Sequence, residues 1–208
     1  MLQVGGVPPS IAEALTAHYD ALVLPINAER GEFLAAHAAS VTAVVDAGQV
    51  PIDAQLIGAL PNLGAIIHYG DGYETIDVDT ARRLGIGVSN TPGVETDTVA
   101  DTAIGLMLMT MRRFGAAERY VRAGRWPVDG PYPFGRDVSR SRVGILGLGR
   151  IGSAIARRLA GFNCVIAYHD RRELTGSEYA SRHRPWSWRN LSMCWWSRPA
   201  ARRTPHLW

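Results

Sequence analysis

Lysine is absent from this chain, whose 22 basic residues are all arginine. Cysteine is scarce: Cys164 and Cys194 show neither C-x-x-C spacing nor a pairing pattern, which excludes a disulfide framework and fits a reducing compartment. Cys164 reads as a core residue. Long apolar runs are also missing. The longest, AIGLMLMTM, is far short of a bilayer span, and the opening MLQVGGVPPSIAEAL lacks the basic stretch and apolar run of a secretory segment. A cytoplasmic protein with no membrane partner is expected. Acids are missing from one region only. From residue 181 onward there are six Arg and no Asp or Glu, so residues 1 to 180 carry 16 Arg against 19 acids, and the net charge of +3 comes from the tail. A basic face built into a folded domain is therefore not expected, nor is nucleic acid as a partner.

What is present is ordinary for a globular protein: 47% hydrophobic and 20% charged residues. Short apolar runs alternate with helical patterns in the order SVTAVVDAG, IDAQLIGALPNL, GAIIHYG and TARRLGIGVSN. This predicts β/α units and a parallel sheet. Asn90-Thr91-Pro92-Gly93 punctuates the pattern, because proline fixes its own φ and turns the preceding residue away from helix. A long helix then follows over VADTAIGLMLMTMRRFGAAERYVRAGRW, capped by Thr96 or Asp97. Apolar residues surround it from Val99 to Met111, so it is buried on several sides by its own domain or by a second subunit, and its methionines read as packing.

The stretch SRVGILGLGRIGSAIARRLAGFNCVIAYHDRR carries the chemistry. An apolar strand runs into Gly147-Leu148-Gly149-Arg150-Ile151-Gly152, a helix continues to about Ala160, and a second strand runs from about Cys164 to Tyr168. Gly147 permits the tight turn, Gly149 lets the backbone approach a pyrophosphate, and Gly152 allows helix and strand to pack closely. The helix N-terminus, with its unpaired N–H groups, favours the negative charge of a dinucleotide. At the end of the second strand stand His169, Asp170, Arg171 and Arg172. An acid here reads as NAD through the ribose hydroxyls, and an Arg reads as NADP through the 2′-phosphate. Arg171 and Arg172 can clamp a phosphate, whereas Asp170 either serves NAD or pairs with one of them. NADP(H) is favoured over NAD(H).

These residues resemble the D-isomer-specific 2-hydroxyacid dehydrogenases, in particular the glyoxylate/hydroxypyruvate reductase-like branch. The likeness rests on HYGDGYETIDVDTARRLGIGVSNTPGVETDTVADTAIGLML, on RAGRW and on the glycine-rich stretch, and covers most of residues 1 to 180. It implies a flavodoxin-like substrate-binding domain over 1–92, lacking its C-terminal return segment. Residues 93–180 would then be the first half of a Rossmann NAD(P)-binding domain, a doubly wound parallel sheet, facing the first domain across a cleft. A homodimer through helix 97–113 is implied, as is hydride transfer between NAD(P)H and a small 2-oxo acid such as glyoxylate or hydroxypyruvate. Gly70-Asp71-Gly72 matches the loop whose amides hold the substrate carboxylate, with Asp71 where a smaller or apolar residue is commoner. His68 either adds positive charge toward the substrate or is structural. Val99 matches a position lining the nicotinamide pocket, with plain helix packing as the alternative.

The family's catalytic Arg, Glu and His lie in motifs beyond the matching region. The tail has no Asn-x-x-Arg-Gly pattern and no Glu, so no catalytic residue is assigned. No metal site is expected. The sequence supplies only the first two strands of a sheet ordered 3-2-1-4-5-6, which leaves the central strand without a neighbour and an apolar edge exposed. The tail itself holds five of the six tryptophans. Shifting the frame through Met193-Cys194-Trp195-Trp196-Ser197 gives Val-Leu-Val, then Val again where Ser197 has a TCN codon, which is similar to the family's next buried strand. Residues 181–208 are thus expected to be out of frame after a shift between about Tyr179 and Arg184, leaving an inactive fragment. Arginine without lysine fits a GC-rich gene. The alternatives are a dinucleotide-binding module without catalysis, or a basic aromatic tail that binds nucleic acid or sits at a membrane interface.

Overall fold

The computed structural model describes residues 1–171 and 174–181, and residues 193–196 as a strand. The chain divides into two compact units, Met1–Val94 and Glu95–Trp208.

In the first unit, short apolar strands alternate with helices: β1 (Leu2–Val4), α1 (Pro9–His18), β2 (Leu22–Val23), α2 (Arg30–His37), β3 (Ala43–Asp46), α3 (Ala54–Gly58), β4 (Ala65–His68), α4 (Val78–Arg83) and β5 (Gly87–Ser89). All strand pairs are parallel and the order is β2-β1-β3-β4-β5, the flavodoxin-like arrangement. Leu2, Val4, Val44 and Ile66 are fully buried in its core. Two helices start on aspartates that cap orphan amides: Asp53 accepts from the Leu56 N–H at 2.9 Å, and Asp77 from the Thr80 N–H at 3.0 Å.

The second unit opens with α5 (Thr96–Met111), α6 (Phe114–Arg122) and α7 (Trp126–Asp129). The single long helix expected from the sequence is thus broken. Arg113 takes a left-handed conformation (φ 57°), and the chain from Gly135 onward closes the end of α5, with the Arg136 N–H donating to the Met111 carbonyl at 2.7 Å. A Cβ on Gly135 would collide with that same Met111 carbonyl. Neither expected cap operates, because α5 begins at Thr96 and its preceding residue, Glu95, makes no side-chain capping bond. Nor does this unit enclose the helix: Ala100, Ala103, Met107 and Met111 are buried, whereas Leu106 and Met109 are exposed.

Next come β6 (Arg142–Leu146), α8 (Arg150–Ala160), β7 (Val165–His169), β8 (Ala180–Ser181) and β9 (Met193–Trp196). The order β8-β7-β6-β9, all parallel, is the 3-2-1-4 portion of a Rossmann sheet. This corrects the expectation of two strands and an unpartnered central one. β6 is flanked on both sides, with Val143 level with Met193 and Leu146 level with Trp196. Met-Cys-Trp-Trp is itself a strand-compatible run, since aromatic residues favour extended backbone. The rest of the proposed out-of-frame tail, 182–192 and 197–208, lies outside the described residues.

Candidate functional site

The glycine-rich turn joins the end of β6 to the start of α8. Gly147 has φ 90°, which only glycine adopts without strain, and its N–H donates to the His169 carbonyl at 2.8 Å. At Gly149 no heavy atom lies within 4 Å of where a Cβ would stand, so the backbone is open to close approach. At Gly152 a Cβ would strike the Gly147 carbonyl oxygen and sit 3.3 Å from Ile145 Cγ2, so only glycine lets α8 pack onto β6 here. Gly147 thus needs glycine for its φ and Gly152 for its packing, whereas Gly149 leaves its backbone open without demanding glycine. Ser153 reinforces the turn through its hydroxyl, which donates to the Leu148 carbonyl at 3.1 Å. Arg150 is exposed and Ile151 is half-buried against the unit's core.

The first turn of α8 has no acid, and Arg157 and Arg158 stand in its last turn. The N-terminal end thus keeps its attraction for an anion, and the residues present fit a dinucleotide pyrophosphate. At the end of β7, His169 and Asp170 are half-buried and Arg171 is exposed, while Arg172 lies outside the described residues. Among the described residues, no guanidinium pairs with Asp170. Its Oδ2 accepts from the Leu148 N–H at 2.9 Å and its Oδ1 from the Arg171 N–H at 2.7 Å.

Val99 lies half-buried on α5. That helix is tied to α8 by Arg158, whose Nε donates to Asp101 at 2.6 Å and whose Nη2 donates to Asp97 at 3.0 Å. Asp97 is thus engaged in this bridge instead of capping α5. Hydrogen bonds to Asp101, then to Asp97, hold the Arg158 guanidinium above its ordinary value.

In the first unit, His68 ends β4 level with Asp46, the last residue of β3. Both are buried, with His68 Nδ1 3.0 Å from Asp46 Oδ1 and 3.1 Å from Oδ2. Asp46 Oδ2 also accepts from the Gly48 N–H at 2.8 Å. The imidazole fills the space under Gly70, where a Cβ would lie 2.7 Å from Nε2. The loop Gly70-Asp71-Gly72 is pinned by the next segment: the Gly70 N–H donates to Thr91 Oγ1 at 3.1 Å, and Asn90 Nδ2 donates to the Asp71 carbonyl at 2.8 Å. Sequence reasoning singled out His68 but missed Asp46. The available signal was an acid closing the apolar run SVTAVVD, a position that ends a buried parallel strand.

A cavity of about 570 Å³ also lies along β5, lined by Tyr73, Val78, Arg82, Ile86, Val88 and Asn90 among others. It includes neither the histidine loop nor any glycine-turn residue, so the chemistry of the site is not read from it. Among the described residues, no group of His, Cys, Asp and Glu is placed to hold a metal ion, and no helix is long and apolar enough to cross a membrane.

Residues 104–191 match the model of the D-isomer specific 2-hydroxyacid dehydrogenase NAD binding domain. The glyoxylate/hydroxypyruvate reductase HPR3 of Arabidopsis thaliana is 38% identical over 177 residues, which cover 83% of this chain and 55% of that protein. A 2-hydroxyacid dehydrogenase from Ketogulonicigenium vulgare Y25 superposes with a TM-score of 0.86 at 35% identity, covering 94% of this chain and 62% of the other. The NADPH-dependent glyoxylate/hydroxypyruvate reductase of Sinorhizobium meliloti, solved with NADP and malonate, gives 0.78 at 36% identity, covering 87% and 56%. The chain spans about half the length of the curated relatives it matches.

Proposed function

This chain belongs to the D-isomer specific 2-hydroxyacid dehydrogenase family, and on that premise we propose that it carries the substrate-binding and cofactor-binding framework of an NAD(P)-dependent reductase of small 2-oxo acids. Glyoxylate or hydroxypyruvate is the proposed substrate type, with NADP(H) favoured over NAD(H), in line with the NADPH-dependent relative. The observation that carries this reading is the three-glycine turn, in which Gly147 supplies the positive φ, Gly149 the open backbone and Gly152 the close helix contact. Bound NAD(P)H supplies the hydride. The amides at the start of α8 hold the pyrophosphate, Arg171 and Arg172 meet the 2′-phosphate, His169 borders the adenosine ribose, and Val99 lines the nicotinamide side.

The loop Gly70-Asp71-Gly72 is assigned to the substrate carboxylate, with Gly72 as the donating amide because the Gly70 N–H is engaged by Thr91. His68 supports that loop from below through its bond to Asp46. Reduction also requires an acid to protonate the developing alkoxide and a cation to orient the substrate, and no residue of this chain matches either role. Two copies are proposed to associate through α5, whose Leu106 and Met109 are each 51% exposed. The proposed setting is cytoplasmic, without nucleic acid or membrane partners.

Fluorescence titration with NADPH and NADH tests the cofactor assignment. Quenching by both, tighter for NADPH, is expected, with no turnover of glyoxylate or hydroxypyruvate. If neither nucleotide quenches, the reading fails. Resequencing codons 175 to 215 tests the frame. If one base restores a continuation with Asn-x-x-Arg-Gly, Glu and His motifs, the restored protein is expected to turn over, whereas a module that only senses cofactor stays silent.

A further inference from the structure

The acid at the end of β7 occupies the position from which a carboxylate ordinarily meets the ribose hydroxyls of NAD. Both oxygens of Asp170 are already engaged by the protein's own backbone: Oδ2 accepts from Leu148 at 2.9 Å and Oδ1 from Arg171 at 2.7 Å. Leu148 stands between the first two glycines and is only 6% exposed. The bond is part-buried, and without the carboxylate the Leu148 amide loses its acceptor in a residue with little access to water. The neighbouring Gly147 N–H is held separately by the His169 carbonyl at 2.8 Å. Two consecutive residues of the turn are therefore stitched to the end of β7, one by backbone and one by the Asp170 side chain.

We propose that Asp170 is a positioning residue that clasps the glycine turn, and that it supports NADPH and NADH equally instead of selecting NADH through the ribose. The proposal rests on the dinucleotide reading given above. A charged acceptor makes short, strong bonds to amides, so the clasp fixes the turn before any cofactor arrives. A ribose hydroxyl would have to share oxygens that two N–H groups already polarise, which weakens the acid as a reader of the 2′-position. Those same N–H groups offset the carboxylate's charge, so an incoming 2′-phosphate meets less repulsion. The bond to the Arg171 amide also fixes the backbone from which that exposed side chain departs, so the acid orients the cation instead of competing with it.

The test uses the full chain as wild type, Asp170→Ala and Asp170→Asn. Two quantities are read: dissociation constants for NADPH and NADH, and hydrogen exchange at the Leu148 amide without nucleotide. In Asp170→Ala, exchange at Leu148 is expected to speed up roughly tenfold or more, as for a buried donor that loses a charged acceptor. Exchange at Ile145 in β6 stays slow and reports that the unit is folded. Both nucleotides weaken by the same factor, to within about twofold. Asp170→Asn keeps a neutral acceptor of the same shape and falls between, which covers the case in which the alanine variant does not fold. Loss of NADH affinity with NADPH affinity kept or improved assigns Asp170 to the ribose and overturns the proposal, as does unchanged exchange at Leu148. Failure of the wild type to bind either nucleotide counts against the function proposed above, and Leu148 exchange then decides the clasp on its own.

Discussion

Asp46 in the first unit and Asp170 in the second both stand at the C-terminal end of a parallel strand, beside a glycine-containing loop, but their surroundings differ. Asp46 is fully buried and bonds an imidazole at the end of the adjacent strand, 22 residues away in sequence, as well as a backbone amide. Asp170 is half-buried and, among the described residues, bonds two backbone amides. The first acid joins two strands of a sheet, so removing it leaves a buried ring without its partner. The second joins a loop to a strand end, so removing it frees the loop and spares the sheet. The contrast separates a carboxylate that holds a fold together from one that shapes a binding surface. The sheets differ as well: the first has its five strands in flavodoxin-like order, whereas the second has the 3-2-1-4 portion of a six-strand pattern and relies on β9 to flank β6.

The strongest way to break the comparison is to end the chain at residue 192. β6 then presents a bare apolar edge, and the second unit is expected to be degraded or aggregated while the first remains intact, as read by limited proteolysis with mass spectrometry. Gly152→Ala drives a methyl into the Gly147 carbonyl and is expected to cost the second unit about 3 kcal/mol, seen as a lower urea midpoint, together with loss of nucleotide binding. Asp46→Ala leaves His68 buried without its partner and is expected to cost the first unit about 2 kcal/mol by the same measurement, without moving the transition of the second. Arg158→Gln removes the bridge from α8 to Asp97 and Asp101 and has the smallest effect. Because the bridge lies near the surface, the difference from wild type should shrink as salt is raised to about 1 M, which a thermal melt series checks.

Much of this architecture was legible because it depends on local pattern. β3, β4 and β7 follow from apolar runs, and the positive φ of Gly147 and the close contact at Gly152 follow from spacing, since a glycine's freedom of φ and its missing Cβ need no knowledge of distant residues. Three features were not legible. The pairing of Asp46 with His68 depends on strand register across a β/α crossover. The break falls at Arg113, two residues before Gly115 and not at the glycine itself, and arises where the chain at Gly135–Arg136 packs on the end of α5. Asp97 looked like a cap because it stands at a helix start, but Arg158, distant in sequence, takes its carboxylate. β9 escapes a local reading for another reason: the pairing of Met193 to Trp196 with β6 joins segments far apart in sequence.

The left-handed arginine at the end of α5 has a consequence for engineering. Arg113 and Arg140 both hold positive φ, at 57° and 61°, and bracket everything that lies between α5 and β6. For a side chain bearing a Cβ, that conformation costs about 1 kcal/mol relative to glycine. Replacing Arg140 with glycine relieves that cost against the greater backbone freedom glycine gives the unfolded chain, whereas at Arg113 the same change also removes the guanidinium that lies 5.1 Å over the Tyr132 ring.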